Sequence, residues 1–520
     1  MSDPVNTVVV VGGGTAGWLT AGLLAAEHRP SQESGLEIIL IESPDVSPIG
    51  VGEGTWPTMR TSLQTMGVSE TEFIRQCDAS FKQGTRFSGW STGDDEHYYH
   101  PFAPPLRFND FDLARHWQPL RDKVDYADAV TPQGRACERA LAPKQITTPE
   151  FAGNLNYGYH LDAGKFSKFL ERHCVEKLGV THIVDNVVAV NGADNGDIES
   201  LGLRSGETVH GDLFVDCTGF AALLLGKHYE VPYRSVRDYL FNDTALAVQV
   251  PRSSPDEPIA STTLSTAQRA GWIWDIALPK RRGIGYVFSG AHTSDEQAEA
   301  DLRSYLASTA DVEFSESCNP RRIDFSAGHR EKLWHRNCVA VGLSGGFVEP
   351  LEASALVMIE QSANVLSEQL PPNRSTMDIV AKRFNDKFLY HWHRITEFLK
   401  LHYVLSRRDD TDYWRDNRSA HSIPGDLTES LELWRYRCPR YQDFSRVDEL
   451  FPAASYQYVL YGMNFETEGP SDRRHSDTAA RATAESLFSE NIKLTAQALQ
   501  ALPTNRDLIS KVHEFGFQKI

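Results

Sequence analysis

The chain has 520 residues, 41% of them hydrophobic and 23% charged, with 52 basic against 70 acidic side chains. That length exceeds one simple core and suits about two or three domains of a globular protein. The formal net charge of −18 argues against nonspecific attraction to nucleic acid or anionic lipid, because the phosphate term in such binding is electrostatic.

Cysteines stand at positions 77, 137, 174, 217, 318, 338 and 438, an odd number with no CxxC spacing. A zinc site or disulfide framework is not expected, and a reducing cytoplasm is the easier setting. The N-terminus MSDPVNTVVVVGGG has no basic stretch ahead of its apolar run, so it reads as a strand entering a glycine turn rather than as a signal peptide. No apolar run is long enough to span a bilayer.

In chain order, TVVVV (7–11) reads as a buried strand, GGGTAG (12–17) as a turn, and WLTAGLLAAEH as a helix with small residues on its inner face. LEIILIES then reads as a second buried strand ending at Glu42. This is a parallel crossover unit, and Gly12-x-Gly14-x-x-Gly17 inside it is a dinucleotide fingerprint. The first glycine allows the tight turn, the second lets backbone approach a pyrophosphate, and the third lets helix and strand pack closely. Glu42 stands where a carboxylate accepts hydrogen bonds from ribose hydroxyls.

Further on, THIVDNVVAV and SLGLRSGETVHGDLFVDCTGF look like strands with tight turns. Asp216 ends the last of these, just before Thr218-Gly219. In a two-part flavin domain that is where a second strand and turn approach the cofactor, which favours FAD over NAD. By itself Asp216 is an ordinary turn residue. The region from about 240 to 290 alternates like antiparallel sheet, in TALAVQVP, GWIWDIALP and GIGYVFSG. Alternation places Trp272 and Trp274 on the same face of one strand.

From 350 onward the pattern is mostly helical, with apolar residues at three- and four-residue steps in ASALVMIEQSANVLSEQL and AKRFNDKFLYHWHRITEFLKLHYVL. His391 and His393 in YHWHRI face different sides of a helix, so no metal site is expected there or elsewhere. The polar stretch NFETEGPSDRRHSDTAA, near 464–480, is the softest in composition. The expected fold is α/β, an FAD-binding Rossmann-like domain of the two-part flavin monooxygenase type. That domain would run discontinuously over 1–350, with an antiparallel substrate-side sheet inserted at about 230–330. A mainly helical substrate-binding and lid region would occupy 351–520.

At this point the sequence resembles the flavin-dependent halogenases of the tryptophan-halogenase family. GWIWDIALP resembles that family's Trp-x-Trp-x-Ile signature, and IGVGEGTWP (49–57) the loop that covers its flavin. FKQGTRFSGW (81–90) resembles the segment with its catalytic lysine, and VAVGLSGGFVEPLEAS (339–354) the segment with its glutamate and halide site. HYVLSRRDDTDYW (402–414) resembles a helix-end motif behind its substrate pocket. The matches run in family order from residue 7 to about 465.

The resemblance implies that reduced FAD, supplied by a separate NAD(P)H-dependent flavin reductase, reacts with O2 and halide to give hypohalous acid. The acid passes through a tunnel to a small, electron-rich aromatic substrate. Gly12, Gly14, Thr15, Ala16, Gly17, Glu42, Gly50, Val187, Asp216 and Leu343 would contact FAD. Trp272 and Trp274 would wall the space between flavin and substrate. Lys82 would meet the acid as a hydrogen-bond donor or as a haloamine, desolvated by walls such as Phe81 and Phe87. Glu352 would stabilise positive charge on the ring and take the departing proton. Glu349, ahead of Pro350, reads as structural. Backbone N–H groups at Ser354 and Ala355, near a helix start, would bind halide. His100 and Phe102 would sandwich the substrate, with His402 behind them.

Two departures bear on specificity. The family's Ser-Thr-Gly run after the glutamate is Ala353-Ser354-Ala355 here; loss of glycine restricts backbone, and bromide is expected over chloride because it is easier to oxidise. The stretch WRYRCPRYQDFSRVDELFPAASYQYVLYGMNF lacks the adjacent tyrosine pair that holds free tryptophan in that family. An indole or similar aromatic is expected instead. The alternatives are an aromatic hydroxylase, which would lack Lys82, Glu352 and the paired indoles, and an inactive flavin-binding scaffold. No second GxGxxG is present for NAD(P)H, and a homodimer is left open.

Overall fold

The structure, a computed structural model, describes residues 4–28, 35–46, 52–310, 312–468 and 478–518. The chain forms two compact units, each assembled from three segments. The first comprises Met1–Ala79, Leu161–Ser235 and Ser326–His393, and the second Ser80–His160, Val236–Phe325 and Arg394–Ile520.

The first unit is built on a six-stranded sheet in the order Trp334–His335, Cys338–Ala340, Leu213–Asp216, Thr7–Val11, Glu37–Glu42, Thr181–Val184. All its pairings are parallel except the short edge strand Trp334–His335. Val10 lies between Leu40 and Val215 in register, and the four valines of Thr7–Val11 are buried. That is why the strand reads as a continuous apolar run: a parallel strand is covered on both faces. The helix Thr15–His28 is buried continuously from Gly17 to Ala25 and packs against helices Ala163–Leu178 and Ser354–Glu368. An antiparallel meander, Val187–Gly192, Ile198–Leu203 and Thr208–His210, completes the region after residue 184.

The second unit is built on a seven-stranded sheet, ordered Arg321–Asp324, Thr244–Pro251, Arg281–Phe288, Gly271–Ala277, Thr263–Gln268, Gly84–Ser88, His97–Pro101. It is antiparallel apart from one parallel pair, Thr263–Gln268 with Gly84–Ser88. The strand Gly271–Ala277 is buried along its whole length. Ile273 faces the helix Asp295–Thr309, in a core with Leu302, Leu306, Tyr286 and Phe288. Asp275 shares that face and is neutralised by Arg282, whose Nε lies 3.0 Å from Oδ1, with the Tyr305 hydroxyl donating to Oδ2 at 3.0 Å. Trp272 and Trp274 take the other face.

The boundary expected at 350 falls elsewhere. The substrate-side sheet recruits residues 84–101 from well before the 230–330 region. Helix Ser354–Glu368 belongs to the first unit because its apolar side packs on Thr15–His28. No helix among the described residues is long and apolar enough to cross a membrane.

Candidate active site

The glycine turn of the first unit is shaped by close approaches. Gly12 has φ +119°, and a β-carbon there would lie 2.2 Å from the Cys217 carbonyl oxygen. One on Gly17 would lie 1.8 Å from the Gly12 oxygen, which is the tight helix–strand contact expected of the third glycine. Gly14 is different: a β-carbon there meets nothing within 4 Å. Open space therefore faces the start of Thr15–His28, whose first N–H groups have no intrahelical partner and suit an anion. These residues fit the pyrophosphate of a dinucleotide such as FAD.

Glu42 ends its strand beside the turn, and its Oε2 lies 3.1 Å from His182 Nε2. Burial, reinforced by the nearby Glu171 carboxylate, pushes its pKa up. Leu343 lies in the turn Gly342–Ser344, brought to the helix start by Gly342, where a β-carbon would stand 2.9 Å from that of Ala16. Asp216 is fully buried. One oxygen accepts from Thr218 N and Oγ1 (3.1 and 2.6 Å), the other from Leu224 and Leu225 N (2.8 Å each). Its carboxylate pins the turn after the strand. Val187 is half-buried at the start of the meander. Gly50 lies outside the described residues.

Glu352 is buried and has φ +64°, and Ala353 follows at +55°. Two consecutive side-chain-bearing residues in the left-handed region store backbone strain. The Trp56 indole N–H donates to the Glu352 carbonyl at 2.9 Å. Ser354 and Ala355 are the first two residues of Ser354–Glu368, Ser354 buried and Ala355 exposed. The expected restriction at Ala355 is thus misplaced: that residue is helical, and the demanding backbone lies at 352–353. Two turns into the helix, Glu360 is fully buried, accepting from Ser62 Oγ at 2.7 Å and Thr58 Oγ1 at 3.3 Å. Burial pushes its carboxyl up to about 8.

In the second unit, Lys82 lies at the end of the short strand Ser80–Lys82 and is 1% exposed. Its ammonium sits 5.4 Å from the centroid of Phe102, whose N–H donates to the Gln83 carbonyl at 2.9 Å. Phe81, one of its two expected walls, is turned away from it. Alternation turns Phe81 to the opposite face, against Tyr157 (5.2 Å between ring centroids) and Phe517 (6.4 Å), while Phe87 stacks on Tyr98 at 4.8 Å.

His100 packs between Phe398 and Tyr458, each 5.9 Å away. His402 lies beyond Phe398 at 5.3 Å, its Nδ1 3.0 Å from the Phe398 carbonyl oxygen. The second unit therefore places Lys82 against Phe102, and His100 and His402 both against Phe398. The indoles of Trp272 and Trp274 lie 6.4 Å apart at 62°. Trp274 lies over Gly285, its partner in the register, where a β-carbon would come within 2.1 Å of the ring. Trp90 backs Trp272 at 6.4 Å and touches Tyr403 and Trp414 in turn. Trp90, Phe398 and Tyr458 were not singled out by sequence pattern. Trp90 ends a motif that was, whereas the other two sit in helices whose spacing signals only burial.

A glycine cradle open to a dinucleotide, a two-part α/β frame and a buried lysine among aromatic rings define a flavin-dependent oxidoreductase. Residues 7–478 match the tryptophan halogenase family, and the chain belongs to it. It is 34% identical to a tryptophan 6-halogenase of Streptomyces toxytricini over 479 residues, covering 88% of this chain and 89% of that one. A tryptophan halogenase structure from Shewanella frigidimarina matches with TM-score 0.96 and 49% identity over 99% of both chains. A flavin-dependent halogenase from Brevundimonas matches with TM-score 0.85 and 32% identity, covering 98% of this chain and 99% of that one. Members of the family use reduced FAD from a separate flavin reductase, O2 and halide to halogenate aromatic substrates, and this chain is an FAD-dependent halogenase.

Proposed function

We propose that this chain halogenates an indole or a similar electron-rich aromatic rather than free tryptophan, with bromide preferred to chloride. The burial of Lys82 against Phe102 carries the reading, because an amine kept from water can meet an oxidant without losing it to solvent. Gly12, Gly14, Thr15, Ala16 and Gly17 hold the pyrophosphate, Glu42 the ribose, and Val187 and Leu343 line the remainder. Asp216, its oxygens engaged, contributes the shape of its turn. Bound reduced FAD supplies, with O2, the oxidation of halide to hypohalous acid.

The protein's residues do the rest. N–H groups of Ser354 and Ala355 bind halide at a helix start. Trp272 and Trp274 keep the aromatic substrate from the flavin. Lys82 receives the acid, as hydrogen-bond donor or as haloamine, and presents halogen to a ring held by His100 and Phe102, with His402 behind. Glu352 stabilises the cationic ring and takes its proton. The absence of an adjacent tyrosine pair in 434–465 supports indole over a zwitterion, which needs both charges met. The reductase delivers flavin by diffusion or transient contact, and seven free thiols, six of them buried, suit the cytoplasm.

The test is incubation with a flavin reductase, NADH, FAD, and bromide or chloride, against indole, phenols and tryptophan, with mass detection. Brominated indole should dominate. Faster turnover of tryptophan would overturn the substrate assignment, and chlorination equal to bromination would overturn the halide preference.

A further inference from the structure

We propose that His160 is a positioning residue for Lys82: its Nδ1 takes up the proton that the Lys82 amine releases, so the pair carries one positive charge rather than two. This rests on the reading that Lys82 handles the oxidant.

Strand Ser80–Lys82 pairs antiparallel with Gly158–Asp162, so that Ser80 faces His160 and Lys82 faces Gly158. With a side-chain period of two, Ser80, Lys82 and His160 share one face. Gly158 offers no side chain there, which leaves His160 as that strand's diagonal neighbour of Lys82. Diagonal positions lie about 7–8 Å apart, within reach of long side chains. Phe81 and Tyr159 point the other way, as does Lys144, whose ammonium lies 5.9 Å from the Phe81 ring.

His160 is fully buried. Its Nε2 lies 2.9 Å from the Thr263 hydroxyl, while its Nδ1 is buried with no hydrogen-bond partner among the described residues. When Nε2–H donates to Thr263, Nδ1 bears the free lone pair. Burial first, and the Lys82 charge second, hold the imidazole neutral well below the ordinary histidine range. The second cause disappears once Lys82 gives up its proton. Transfer breaks one N–H bond at Nζ and forms one at Nδ1, leaving an amine lone pair for the electrophilic halogen. No electrons move between residues, and total charge is unchanged.

The test uses purified enzyme with reductase, FAD, bromide and indole, measuring brominated product against free hypobromous acid caught by a soluble scavenger. His160→Asn and His160→Gln keep a polar side chain that can hydrogen-bond, but an amide takes up no proton at working pH. Both variants should lose transfer by about 100-fold with FAD binding and oxidant formation retained. Transfer near wild type in either variant would overturn the assignment. If both variants fail to fold, Thr263→Val gives the answer: lowered transfer with intact FAD binding supports the pair, and unchanged transfer overturns it. Lys82→Ala separates the two levels. Halogenation surviving in Lys82→Ala sinks the reading beneath, whereas a dead Lys82→Ala beside a fully active His160→Gln sinks this inference alone.

Discussion

Two buried carboxylates show different ways of keeping an acid out of water. Asp275, in the second unit, is 2% exposed and is met by Arg282, with the Tyr305 hydroxyl donating to it. Glu360, in the first unit, is equally buried but has, among the described residues, only the hydroxyls of Ser62 and Thr58, so burial favours its neutral form. The first is a fixed ion pair bracing a sheet against its helix. The second is a group whose charge depends on the medium. Lys82 is a third case, a buried cation with an aromatic ring and a neutral imidazole for neighbours.

The sharpest break is at Lys82. Lys82→Ala should abolish halogenated product while leaving flavin absorbance of the bound cofactor intact; wild-type turnover would remove its assigned role. Next comes Asp275→Ala, which strands Arg282 in a low-dielectric site and should destabilise by about 3–5 kcal/mol in urea denaturation. A loss below about 1 kcal/mol would mean the pair is effectively solvated.

Glu360 should behave in the opposite manner. Its folded value, about 8, is raised above the ordinary 4.5, so its stabilising contribution is complete below about 4.5 and is lost as pH rises through about 8. Each unit of separation corresponds to about 1.4 kcal/mol. Glu360→Gln should remove that pH slope, leaving stability near wild type at pH 5 and raised at pH 8; an unchanged slope would assign it elsewhere. The smallest effect on folding is expected at Gly14→Ala, within about 1 kcal/mol, since the added methyl meets open space. The same substitution should weaken FAD binding measurably by fluorescence titration, and undiminished affinity would move the pyrophosphate away from Gly14.

The glycine turn was legible because its constraints are local. A positive φ at Gly12 and a carbonyl 1.8 Å from where a side chain would start on Gly17 leave glycine as the residue that fits. The paired indoles were legible as sharing a face, but their support was not, since Gly285 and Trp90 reach them through sheet pairing and tertiary packing. Lys82 carried no local signal at all; a lysine in a three-residue strand gains meaning only from its neighbours, and family resemblance supplied them. The interleaving of the two units was hidden for a related reason. Helix Ser354–Glu368 has an ordinary amphipathic pattern, and nothing in that pattern says which of two cores it will cover. Strain at Glu352 and Ala353 was likewise unreadable, because neither residue type favours the left-handed region.

The close seat of Trp274 on Gly285 has an engineering corollary. An indole seated on a missing side chain takes its tilt from the neighbouring strand, so a single methyl at position 285 is a steric dial. It would swing Trp274 without altering any atom of the GWIWDIALP segment, giving access to the ring's attitude from behind.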